Sequence, residues 1–250
     1  MVGVKEKTMK FAVQLYSLRE LAAREGAEAV LRTVAQAGYD GVEFAGFYDK
    51  TPDEMDELLK KYKLEPVSAH IGADSIQPQM PYIDKLKIGN IFIPWVAKET
   101  FDDPEKFSAF CLELSNLKEV LDKKGILFGY HNHAHEFENG KDRLERLWTV
   151  LPWMRSELDV FWLTVAGLDP VAYMKKLGDR LAFVHIKEAA KAALEEPQPI
   201  VGEGVVDMQG VFDEMKRGGI EWAVLEVEKY PCGEAEYLRR SLENMKKFAK

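Results

Sequence analysis

A single-domain α/β protein built as a (β/α)₈ or TIM barrel is the fold this sequence predicts, and three observations predict it. Eight short apolar runs recur along the 250 residues, each bounded by turn residues. Segments of helical periodicity lie between them, which is the alternation of a barrel of parallel strands. The first run ends QLYSLRE, without the GxGxxG turn expected of an open doubly wound sheet, the runner-up architecture. No low-complexity linker divides the chain, so residues 1–250 are read as one domain.

The strand runs are 11–17 (FAVQLYS), 41–45 (GVEFA), 66–71 (PVSAHI), 91–96 (IFIPWV), 126–133 (ILFGYHNH), 156–162 (SELDVFW), 181–187 (LAFVHIK) and 222–228 (WAVLEVE). All are short and rich in Val, Ile, Leu and Phe, as parallel strands buried on both faces should be. The first crossover helix is expected over 27–38, closing at Gly38, a natural residue just past a helix end. Thr51-Pro52 followed by Glu54 predicts an N-cap and a helix over 52–62. In the third crossover, 79–90, Pro81 interrupts the helical pattern. A long helix is expected from Pro104 to Gly125, shorter ones over 142–151, 169–178 and 207–219, and a last one over 234–250. The stretch 188–207 reads as a loop of the functional face, in which 189–196 could form a turn or two of helix.

Composition narrows the function classes. A net charge of −8 and no basic stripe argue against a nucleic-acid partner. No apolar run reaches the roughly 18 residues needed to span a bilayer. MVGVKEKTMK has no apolar core of a signal peptide, and two distant cysteines make no CxxC pair, so a reducing cytoplasm is expected. Trp148, Trp153 and Phe161 fit an interface of a homo-oligomer or ordinary packing equally well.

In a barrel the active site lies at the C-terminal ends of the strands, where alternate residues point inward. Near those ends stand Gln14, Glu43, His70, Trp95, His131 or His133, Asp159, His185 with Lys187, and Glu226 with Glu228. The stretch FGYHNHAHEF alone holds three of the five histidines. Buried carboxylates without partners cost several kcal/mol, so this convergence calls for a counter-charge. A divalent cation supplies one. Mixed oxygen and nitrogen ligands suit Mn²⁺, Mg²⁺, Co²⁺ or Zn²⁺, and the core set read from the strands is Asp159, His185 and Glu226 plus one ligand from strand five. Taken singly, each residue also has an ordinary reading: Asp159 could cap a turn and Glu228 could be a solvated rim charge.

With those residues in place, the chain resembles the xylose isomerase-like barrels of the sugar phosphate isomerase/epimerase group, also called the AP endonuclease family 2 fold. The blocks that carry the resemblance are GYHNHAHEF, LDVFWLTVAGLDP, VHIKE and GEGVVD, spread over nearly the full length. The resemblance implies a divalent metal held by an acid from strand five and by Asp159, His185 and Glu226. It also implies that Lys187 and Glu203 line the pocket and that Gln14, Glu43, His70 and Trp95 contact substrate. Two departures stand out. Where many epimerases of the group have a strand-five glutamate before an Asn–His pair, this chain has His131 before Asn132 and His133. Either His131 replaces the glutamate or Glu136 folds back, and the preference of a hard cation for oxygen favours Glu136. A substrate-binding histidine of strand six is replaced by Trp162, a flat wall suited to a sugar ring.

The reaction these residues suggest is isomerisation or epimerisation of a keto-sugar or polyol-derived substrate through an enediolate. Glu226 would serve as base, Glu136 or His131 would stand across the substrate, and Lys187 would face the developing oxyanion. The alternative is dehydration of an inosose or keto-sugar from the same enolate. Abasic-site DNA cleavage and sugar binding without catalysis are the remaining readings.

Overall fold

The structure is a computed structural model and describes residues 9–190 and 197–250. Eight parallel strands form a closed barrel in sequence order. They are β1 (Lys10–Gln14), β2 (Gly41–Phe44), β3 (Glu65–His70), β4 (Asn90–Ile93), β5 (Leu127–His131), β6 (Arg155–Asp159), β7 (Leu181–Ile186) and β8 (Trp222–Leu225). Pairing of β8 with β1, Lys10 beside Trp222 and Val13 beside Leu225, closes the ring. The possible helical turns at 189–196 fall largely on residues outside those described.

Around the barrel run α1 (Arg19–Glu25), α2 (Ala27–Ala37), α3 (Pro52–Tyr62), α4 (Met80–Leu86), α5 (Lys98–Asp102), α6 (Pro104–Asp122), α7 (Arg143–Val150), α8 (Val160–Val165), α9 (Pro170–Leu177), α10 (Met208–Arg217) and α11 (Glu234–Phe248). Local chemistry fixes their ends. Thr51 and Glu54 form a reciprocal capping box at the start of α3. Gly38 adopts a left-handed conformation, φ +94°, after α2. Pro81 does not interrupt its crossover. It occupies the first turn of α4, where a missing N–H removes no helical bond. No helix of the described residues is long and apolar enough to cross a membrane.

Several strands stop earlier than their apolar runs suggest. β4 ends before Pro94, and β8 ends before Glu226. β6 gives way at Val160 to α8, because the Asp159 carboxylate accepts the Trp162 N–H at 3.0 Å and caps a helix. Asp159 therefore plays its capping role and still reaches the barrel mouth.

The main core lies between sheet and helices. A second small cluster joins Ala12, Val67, Phe92, Phe183 and Val224. Residues from strands on opposite sides of a barrel can touch only through its interior, so these five plug the lower barrel and leave the upper interior to polar groups. Gly129 is required there: a β-carbon would lie 2.5 Å from the Phe92 ring and 2.8 Å from the Arg155 carbonyl oxygen. Trp148 and Phe161 are buried and Trp153 packs on the core.

Candidate active site and metal centre

His185 of β7 is the hub of the upper barrel. Its Nδ1 lies 2.9 Å from Glu226 Oε2, and its Nε2 lies 2.7 Å from Glu43 Oε1. Glu43 is held in turn by Gln14 Nε2 at 2.7 Å and by the Ser68 hydroxyl at 2.5 Å. Two carboxylates thus grip one imidazole from opposite sides, fully shielded from solvent, which fixes its orientation.

Toward the C-terminal ends of the strands, His131, Asp159, His185 and Glu226 bring four ligand atoms within 4.8 Å of one another. These come from β5, from the ends of β6 and β7, and from just beyond β8. Asn132 ties the first two together: its side chain accepts the Asp159 N–H at 2.9 Å and donates to the Asp159 carbonyl at 3.3 Å. A divalent cation fits this donor set on its own terms. Asp159 Oδ2 and His131 Nδ1 are buried and find no hydrogen-bond partner among the described residues. Two carboxylates and two imidazoles make a mixed O/N set with no thiolate.

Burial shapes the charges. It raises the Asp159 carboxyl to about 7, with Glu226 adding to the rise and Lys187 opposing it. Burial pushes Glu226 the same way, but Lys187 and His185 outweigh it and hold that carboxylate well below its ordinary range. His185 is held well above the usual imidazole value: burial opposes its charge, and Glu157 and Glu43 overcome that opposition. Burial, aided by the charges of neighbouring groups such as His185 beside His131 and Lys187 beside His133, drives His131 down to about 3 and His133 to about 2, so both are neutral at pH 7.

Lys187, fully buried, completes the mouth. Its ammonium lies 2.7 Å from Glu228 and 3.7 Å from Glu226, and it sits over the Phe161 and Trp162 rings at 4.9 and 4.7 Å. A cavity of about 450 Å³ opens above, lined by His70, Trp95, His131, His133, Glu226 and Glu228 among others. Trp95 stands at its rim, 58% exposed. Trp162 faces the His133 ring at 5.1 Å and lines a neighbouring cavity with Phe137 and Tyr173.

Two expected residues are elsewhere. Glu136 is buried, but it belongs to neither group of potential ligands. Its carboxylate accepts the Tyr130 hydroxyl at 2.7 Å and the His133 N–H at 2.8 Å, and burial lifts it to about 7. The segment carrying it is pinned by Arg143, whose guanidinium donates to the carbonyls of His135, Glu136 and Glu138 while gripping Asp102 through two nitrogens. His131, not Glu136, is the residue of the strand-five segment in the cluster. Glu203 does not line the pocket either. It is exposed and pairs with Arg240 on α11 at 2.7 Å. The GEGVVD block instead wraps Glu188, whose carboxylate accepts the N–H groups of Ala189, Gly202 and Val206. Gly204 passes so close that a β-carbon would overlap the Ala189 carbonyl.

Sequence reasoning missed Glu157, Ser68, Asn132 and Glu188. Glu157 had a signal: it lies two residues before Asp159, hence on the same face of β6. Its Oε2 is 2.5 Å from His70 Nε2.

A family model described as xylose isomerase-like TIM barrel matches residues 31–248. The chain is 23% identical to the rhizopine catabolism protein MocC of Rhizobium meliloti, over 92% of this chain and 84% of that protein. It is 21% identical to an inosose dehydratase of Lacticaseibacillus casei, over 82% and 83%. Among solved structures, a sugar phosphate isomerase/epimerase from Parabacteroides distasonis superposes with a TM-score of 0.76 at 22% identity, covering 100% of this chain and 98% of that one. At that identity the superposition shows a shared fold.

Proposed function

Because the chain belongs to the xylose isomerase-like TIM-barrel family, we propose that it is an enzyme that removes the proton next to the carbonyl of a keto-sugar or polyol-derived ketone. Isomerisation or epimerisation through an enediolate is the reaction proposed. The observation that supports this reading is the gathering of Asp159, His185, Glu226 and His131 within 4.8 Å at the mouth, directly beside a buried ammonium. Those four residues would hold one divalent cation. Bound there, it would supply Lewis acidity to the carbonyl oxygen and make the neighbouring C–H more acidic.

The chain's own groups do the rest. Glu226, ionised at neutral pH, accepts the proton. Its low affinity for protons makes it a weak base while the Lys187 charge stands 3.7 Å away, so a substrate oxygen that draws the ammonium toward itself loosens that hold and strengthens the base as the reaction begins. Lys187 donates to the developing oxyanion. Trp162 and Trp95 offer flat apolar faces for the carbon skeleton, and His133, neutral, offers a hydrogen-bonding edge. The test is exchange of the substrate α-proton with solvent deuterium across a panel of keto-sugars and inososes. Glu226→Gln abolishes exchange in this reading; exchange at the wild-type rate by that variant defeats it.

A second reading is favoured by one specific observation. The carboxylates Glu226 and Glu228 lie beside Lys187, whereas the strand-five segment contributes neutral imidazoles and its Glu136 is locked behind the wall. Epimerisation by two opposed carboxylates lacks its second member here. Loss of a β-hydroxyl needs only one base and one proton donor, which Glu226 and Lys187 provide, and the similarity to an inosose dehydratase is consistent with it. Product mass separates the two readings, because an isomer keeps the substrate's mass and dehydration removes one water.

A further inference from the structure

Beside the centre at the mouth, one step deeper along β6 at Glu157, a second set of ligand atoms converges. His70 of β3, His131 of β5, Glu157 of β6 and His185 of β7 bring four such atoms within 4.8 Å of one another. Glu157 Oε2 is the centre: His70 Nε2 lies at 2.5 Å, His131 Nδ1 at 3.2 Å and His185 Nε2 at 3.3 Å. We propose that this cluster is a second divalent-cation site, distinct from the centre at the mouth, and that its preferred occupant is Zn²⁺.

Three features carry the proposal. The first is spacing. Four ligands at the usual zinc bond length of about 2.0–2.1 Å stand roughly 3.3 Å apart along the edges of a tetrahedron. Two of the three distances from Glu157 already have that value, and the third needs an opening of under about 1 Å. The second is incomplete satisfaction. His131 Nδ1 and Glu157 Oε1 are buried and unpartnered among the described residues, although three imidazoles crowd this one carboxylate. Hydrogen bonding alone leaves them unsatisfied, whereas a cation uses such lone pairs directly. The third is donor type. Three imidazoles and one carboxylate make a nitrogen-rich set that suits zinc, whereas the mouth pairs two carboxylates with two imidazoles.

Outer contacts complete the arrangement. Glu43 Oε1 faces the same two ring nitrogens, 3.2 Å from His70 Nε2 and 2.7 Å from His185 Nε2, and is itself held by Gln14 and Ser68, so a cation bound there replaces its hydrogen bond to His185 and gains a further oxygen close by. His131 and His185 serve both clusters. A neutral imidazole has one free lone pair, so the two sites draw on shared rings and filling the lower one weakens the upper.

Calorimetric titration of Zn²⁺ into the Asp159→Asn/Glu226→Gln double variant tests this, because those residues belong only to the upper centre. One tight equivalent is expected, and adding Glu157→Gln should weaken it roughly 100-fold or more. Absence of a tight equivalent in a double variant with wild-type circular dichroism overturns the proposal, as does tight binding that survives Glu157→Gln. Surface histidines cannot confuse the count: the chain has five, at positions 70, 131, 133, 135 and 185, and none is exposed. Should these variants fail to fold, crystals of the unaltered chain grown with Zn²⁺ give the answer by anomalous scattering. A peak within bonding distance of His70 and Glu157 supports the second site. Peaks confined to Asp159 and Glu226, or no peak in the barrel, overturn it. The proton-exchange test of the proposed reaction is read independently of either outcome.

Discussion

The Tyr130 hydroxyl donates to the Glu136 carboxylate at 2.7 Å inside the wall of the barrel. That bond, with the His133 N–H on the other carboxylate oxygen, occupies the glutamate that a hard cation would have preferred. His131 takes its place beside Asp159, His185 and Glu226.

Glu136→Gln should therefore leave cation affinity within about threefold of wild type while lowering stability by roughly 1–3 kcal/mol, because an amide nitrogen would face one of two donors in a buried place. His131→Ala should weaken the cation at the mouth by roughly 100-fold or more, as loss of a direct ligand exceeds the 10–100-fold typical of outer-shell changes. Calorimetry with Mn²⁺ and urea unfolding measure the two effects. A Glu136→Gln variant that loses Mn²⁺ would restore the glutamate to the ligand set.

Cation affinity should climb with pH, steeply up to about 7 and less steeply beyond it. The Asp159 carboxyl keeps its proton to about pH 7 in the fold, against 3.8 unperturbed, and a ligating carboxylate must shed it. His185, held protonated between Glu157 and Glu43, must release one as well. Affinity should rise by about tenfold per pH unit for each proton displaced. Without cation the sign reverses: the folded chain binds the Asp159 proton between 3.8 and about 7 while the unfolded chain has lost it. That group's stabilising contribution is complete below 3.8 and is lost as pH rises to about 7. Mn²⁺ titrations in two buffers of different ionisation enthalpy count the protons directly.

Lys187→Met should lower the α-proton exchange rate by roughly 10²–10³, the scale of losing one preorganised donor to an oxyanion. It should also raise the proton affinity of Glu226, since the Lys187 charge is the largest influence holding that carboxylate down. The pH–rate profile of the variant should show its acid limb moved to higher pH. An unchanged limb would separate Lys187 from Glu226.

Gly129→Ala should destabilise the barrel by about 1–3 kcal/mol or more, since the added methyl meets backbone as well as a ring that is itself packed in the interior plug. Urea unfolding measures it. Combining it with Phe92→Leu should recover part of the loss if the Phe92 ring is the main obstacle.

Much of this was legible in the chain itself. Eight apolar runs set the eight strands, and Gly38, Thr51 and Pro104 placed helix ends within a residue or two of where they fall. Asp159, His185 and Glu226 were legible as a group because residues at strand ends must meet wherever strands close into a ring. Glu157 was legible too, by the two-residue period of a strand, though it was overlooked. Pro81 misled because a proline stops a helix only in its interior, and its position within a helix depends on where the helix begins.

The sequence by itself determined the architecture and which polar groups reach the barrel mouth, because both follow from periodicities of two and 3.6 residues that are local properties of the backbone. Only the tertiary structure decided that His131 rather than Glu136 faces Asp159, that Glu203 turns outward to Arg240, and that Glu157 gathers three imidazoles. Those outcomes depend on partners many residues away, such as Arg143 on the Glu136 loop, Arg240 on α11 and His70 on β3, and no local pattern encodes which distant group a side chain will meet.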